Sequence, residues 1–86
     1  MGLRKAQKPF HIHDERAHLD LPWRCYLTEK RAIEKALVLM YDLKTGDSYT
    51  VYNANSSRAC MQVTRRISGF DFYYDPKGRH YNAIDT

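Results

Sequence analysis

Arg58, Gln62, Arg65 and Arg66 fall at i, i+4, i+7 and i+8, and no Asp or Glu occurs from Ser48 to Phe70. On a helix that spacing gathers all four side chains within roughly a 100° arc. Guanidinium groups with no carboxylate nearby in sequence carry free donors in a planar fork, which suits a phosphate or carboxylate partner. The competing reading is a solvated helix face whose C-terminal arginines sit well with the helix dipole. The same segment opens with Asn55-Ser56-Ser57, an N-cap signal whose backbone donors suit an anion only weakly. Those three residues also fit the N-glycosylation acceptor pattern, relevant only to a secreted chain.

A second set is aromatic. Tyr52 and Tyr73, with His80 beside them, fall on the face opposite the expected core, and Lys44, Lys77 and Arg79 lie at the neighbouring loops. Exposed rings with loop cations resemble a base-stacking platform, and equally a protein-interface hot spot. Cross-strand aromatic pairing that only stabilises the sheet is the bland alternative. The Lys/Arg-Gly-aromatic run of an RNA-recognition domain is missing.

His11, His13 and His18 with Cys25 form the only metal-like grouping. In an extended segment His11 and His13 project to one side, but the spacing matches no zinc module, so no metal ligand is assigned. His80 with Arg79, Tyr81 and Tyr73 is the one set that could serve a small ribonuclease, histidine as base and arginine steadying the phosphorane. Size and charge faintly resemble the ribonuclease toxins of bacterial toxin–antitoxin pairs, whose paired helices nevertheless precede most of the sheet. No phosphate-cradling glycine loop, Ser/His/Asp set or carboxylate pair stands out, so no catalytic residue and no cofactor is assigned.

The elements that must position these residues follow from periodicity. Residues 1–22 are polar, carry Pro9 and Pro22 and lack clean periodicity, which predicts an extended arm ahead of a single domain over 23–86. Trp23–Leu27 alternates as a short strand. Thr28 reads as the N-cap of a helix over 29–37, with Ala32, Ile33, Ala36 and Leu37 on one face. Val38–Leu43 and Ser48–Asn53 then flank Lys44-Thr45-Gly46-Asp47 as a hairpin. A second helix is expected over 56–68, burying Ala59, Cys60, Val63 and Ile67 and ending at Gly69. Phe70–Asp75 and Arg79–Ile84 flank Pro76-Lys77-Gly78 as a second hairpin, with Phe70, Phe72, Tyr74, Tyr81 and Ala83 facing the core.

The sum is an α+β fold. It is a small two-layer domain, β-hairpin–α-helix–β-hairpin, with a mostly antiparallel sheet of about four strands, a short preceding helix and the N-terminal arm. At 86 residues the chain holds one domain of modest stability. Its net charge of +4 favours an acidic partner without reaching the charge of a DNA-wrapping protein. Two cysteines with no secretory signal predict reduced thiols and a cytoplasmic setting. No apolar run approaches a membrane span, and Ala6 stands where N-myristoylation wants a hydroxyl.

Function is then expected to be non-enzymatic: docking on an acidic macromolecular surface, protein before nucleic acid, to modulate it as an inhibitor or adaptor. Direct DNA or RNA binding through the basic helix face and the tyrosines is the alternative, and a small ribonuclease the remote one. A compact domain with an arm and one concentrated contact surface is similar in form to small phage or mobile-element inhibitors. No membrane and no small-molecule cofactor is expected, and self-association stays open.

Overall fold

A computed structural model describes residues 7–80, with side chains described through Tyr74. Two strands come first, β1 (Phe10–Asp14) and β2 (Leu19–Tyr26), followed by helix α1 (Glu29–Leu39) and a 3-10 turn at Met40–Asp42. Three further strands complete the fold: β3 (Ser48–Asn53), β4 (Arg58–Arg66) and β5 (Gly69–His80). They form one antiparallel five-stranded sheet in the order β2-β1-β3-β4-β5. The architecture is thus a small α+β domain with a single α-helix among the described residues.

Because β2 and β3 both flank β1 and run against it, they are parallel to each other. A parallel pair cannot be joined by a tight turn, and α1 is the crossover that joins them. The helix therefore lies over the middle of the sheet. Ala32, Ala36, Met40 and Leu43 face down at i, i+4, i+8 and i+11, onto Ile12, Tyr49, Val51, Met61 and Val63. Ile12, Val51 and Val63 have no exposed surface at all. Each such side chain contributes about 1.5–3 kcal/mol of transfer free energy.

Four expectations need correction. Residues 10–21, read as an arm, hold β1, its turn and the start of β2: Phe10 and Ile12 alternate with His11 and His13 at the strand period. Val38 and Leu39 end α1 and Met40–Asp42 forms the 3-10 turn, in place of a strand over Val38–Leu43, because burying Ala36 and Met40 at helical spacing outweighs the β propensity of the run. The segment 56–68 is a strand, not a helix. Met61 and Val63 face the core at a spacing of two, while Asn53-Ala54-Asn55-Ser56-Ser57 makes the β3–β4 turn. There the Asn53 side-chain oxygen accepts from the backbone N–H of Asn55 and Ser56, and Ser57 takes φ +59°. Residues that cap helices are the residues that build such turns. Ile67, expected in the buried stripe, is on the β4–β5 turn and 93% exposed.

The second hairpin is also redrawn. Ala59 pairs with Arg79 and Met61 with Tyr74, so residues 75–78 stand opposite the single residue Cys60. Pro76-Lys77-Gly78 interrupts one long strand and does not reverse it. The other edge strand repeats the pattern: His11 pairs with Cys25 and His13 with Asp20, leaving residues 21–24 opposite Ile12. Each interruption carries a proline, Pro22 or Pro76. Prolines and bulges at sheet edges block pairing with a further strand. Tyr81 and Ala83, assigned to the core, lie outside the described residues.

Inside the first bulge Trp23 sits at φ +65° and is 95% exposed. A left-handed backbone at a bulky residue costs roughly 1–2 kcal/mol, and this indole recovers none of it by burial. Trp23→Gly is therefore expected to leave the urea midpoint unchanged or raise it slightly. Ile12→Ala, on the neighbouring interior strand and fully buried, should lower stability by about 2–4 kcal/mol.

Candidate binding surface

Strand alternation, rather than a helical arc, distributes the expected site residues. Gln62 lies on the outer face, where its side-chain amide donates to the Thr50 hydroxyl at 3.1 Å. Arg66 donates to the Asp71 carboxylate at 2.7 Å, just past the acid-free stretch. Arg65 lies on the helix side: its guanidinium sits 5.1 Å above the Phe70 ring and bonds the Leu43 carbonyl at 3.4 Å. Arg58 begins β4 and is exposed. The four do not form one surface, because successive residues of a strand point to opposite faces. Lys44 is exposed on the loop before β3. Tyr73 pairs with Gln62 on the outer face. The side chains of Lys77, Arg79 and His80 lie outside those described.

The outer face, away from α1, is organised by one carboxylate. Asp20 accepts from His13 Nδ1 at 2.8 Å, His11 Nδ1 at 3.0 Å and the Tyr52 hydroxyl at 2.7 Å. Burial pushes the Asp20 pKa upward, but the bonds from Tyr52, His11 and His13 outweigh it and hold the carboxyl below its ordinary range. Tyr52 is pushed the other way by burial and by the Asp20 bond. The His11 and His13 rings stand edge-on to Tyr52 at 5.6 and 6.1 Å. His11 Nε2 is also held, 3.0 Å from the Lys8 carbonyl. Beside this set Thr50 donates to Glu15. Tyr52 is thus a half-buried member of a polar network and not an open stacking ring.

His11 and His13 do project to one side, as an extended segment requires, but they meet Asp20. His18 lies on the β1–β2 turn and Cys25 is exposed. Among the described residues no group of three or more His, Cys, Asp or Glu could hold a metal ion.

The helix side of β5 carries the surface that sequence reasoning placed in the core. Phe70, Phe72 and Tyr74 alternate along this strand towards α1, yet Phe72 and Tyr74 are each 54% exposed. Tyr41, 67% exposed, meets Phe70 edge-on at 5.4 Å, and Phe70 lies 6.5 Å from Phe72. At the far end the Tyr74 hydroxyl donates to Glu29 at 3.2 Å. The result is an aromatic ledge between α1 and the sheet edge, with Arg65 stacked at one end. The signal for it was the aromatic alternation itself; what hid it was the expectation of a second helix to cover it.

Comparison with protein-family models, curated proteins and solved structures gives no match, so chemistry and geometry carry the functional reading.

The Asp20 network makes a pH prediction. A carboxyl held below its ordinary pKa adds stability above about pH 4 that is lost as pH falls through the folded value. Asp20→Asn should cost about 1–2 kcal/mol at pH 7, the modest figure reflecting a carboxylate still 37% exposed. The gap between the two proteins should narrow by pH 2, as read from urea midpoints at both pH values.

Proposed function

We propose that this chain is a small non-enzymatic binding protein that docks on the surface of an acidic macromolecule, a protein before a nucleic acid, and modulates its activity as an inhibitor or adaptor. The observation that carries the reading is the aromatic ledge of Tyr41, Phe70, Phe72 and Tyr74 with Arg65. Contiguous exposed apolar surface is costly to keep and marks interaction sites. Tyrosine and arginine are moreover among the residues that dominate interface hot spots.

The outer face supports the same reading from another direction. Its imidazoles, tyrosine and carboxylate are bonded to one another, an arrangement that braces a sheet face. The net charge of +4 favours an acidic partner. Cys25 and Cys60 are both unpaired, which supports a reducing, cytoplasmic setting. Among the described residues no helix is long and apolar enough to cross a membrane.

The test is recovery of a partner by tagged wild type and by a Phe72→Ala/Tyr74→Ala variant. Both rings are more than half exposed, so the variant should keep a thermal midpoint close to wild type. It should lose the partner by at least tenfold, and wild-type capture should survive nuclease treatment and about 0.3 M salt. Capture that vanishes with nuclease or falls steeply with salt would instead make this a nucleic-acid-binding protein.

A further inference from the structure

Two observations at the opposite edge of the sheet are left unexplained by the ledge. The first is Trp23, the only tryptophan of the chain, held out at positive φ and 95% exposed between Pro22 and Arg24. Tryptophan is normally among the more buried residues, and a strained backbone at a displayed side chain points to use. The second is an open pocket of about 340 Å³ lined by Cys25, Tyr26, Leu27 and Thr28, which follow Trp23 in sequence, together with Lys8 and Arg31. Two of these residues are cationic and none is acidic. Neither Lys8 Nζ nor the Arg31 guanidinium has a hydrogen-bond or ion-pair partner among the described residues, and the same is true of Arg24.

We propose that Trp23 and the Lys8/Arg31 pocket form a second docking surface, which takes an acidic protein segment: the pocket receives a Glu or Asp side chain while the indole seats against apolar residues of the same partner. The pocket volume is at the small end for ligand sites, enough for an acidic side chain and part of its neighbours in the segment. Leu27, 67% exposed beside it, extends the apolar contact. A single-stranded nucleic acid would call for successive rings along a cationic groove; here one indole stands alone and only two cations line the pocket. The proposal rests on the binding-protein reading and assigns its acidic preference to this edge, leaving apolar contact to the ledge.

Trp23 reports its own occupancy, since its emission should be that of a fully hydrated indole. The full chain is titrated with a decapeptide of glutamates interrupted by two leucines. A blue shift of emission is expected, absent with the same peptide carrying glutamines. Lys8→Glu/Arg31→Glu should weaken binding at least tenfold, and Trp23→Gly, followed by calorimetry, about fivefold or more. Phe72→Ala/Tyr74→Ala should leave this titration unchanged, so the two surfaces are tested separately. The proposal is overturned if the glutamine peptide binds equally well or if the charge-reversed variant binds like wild type. It is equally overturned if a ten-nucleotide oligothymidylate or phosphatidylglycerol vesicles shift the emission while the acidic peptide does not. In each of those cases the ledge reading stands or falls on its own capture experiment.

Discussion

Among the described residues one helix must cover five strands, and most of the fold follows from that mismatch. A helix with its side chains is about 10–12 Å across, whereas five strands at about 4.8 Å spacing span roughly 19 Å. Because α1 is the crossover between β2 and β3, it is fixed over the central strands and cannot shift towards β5. Its short apolar face, Ala32 and Ala36 followed by Met40, packs closely on Ile12, Val51 and Val63. Small residues bring the helix near the sheet, which tightens the centre and leaves the edge bare. Phe72 and Tyr74 are exposed for that geometric reason.

The other face solves a different problem. Among the described residues no helix lies over the outer side of the sheet, and hydrogen bonds between its polar side chains take the place of a second layer. Asp20 collects three donors from β1 and β3, Thr50 is buried under Glu15 and Gln62, and Ser48 meets Thr64 at 2.7 Å. Networks of this kind rigidify a surface when every member is satisfied. Each edge strand carries one proline-bearing interruption, at 21–24 and at 75–78, which limits pairing with a further strand there. Under the binding function proposed above, the aromatic ledge and the Trp23 edge are the points of contact.

Some of this was legible in the residues. Thr28 accepts from the Arg31 amide as the cap it promised to be, and Ser48–Asn53 is the strand its alternation predicted. Gly46 takes φ +91° in the loop where a turn glycine was expected, and the α+β class with an antiparallel sheet followed. The segment 58–66 was not legible, because Ala59, Cys60 and Val63 satisfy a helical stripe while Met61 and Val63 satisfy a strand. Its turn residues serve as caps or as turns with equal ease. Only pairing with β3 and β5, a property of distant sequence, decides between them. Once that segment became a strand the basic helix face dissolved, and the aromatic strip it was meant to cover came into view. By sequence Trp23 is an ordinary strand residue; its positive φ depends on the register of β1 against β2, which local sequence does not carry.

The most direct test of the uncovered edge as the working surface is site-specific photocrosslinking in the cell of origin. A benzophenone amino acid is placed at Phe72 and, as a control of comparable exposure, at Val38 on the helix. Crosslinking at Phe72 to one discrete protein, lost when Tyr74 is changed to alanine and absent at Val38, is the expected result. No adduct at Phe72, or equal adducts at both positions, would contradict the ledge as a docking surface.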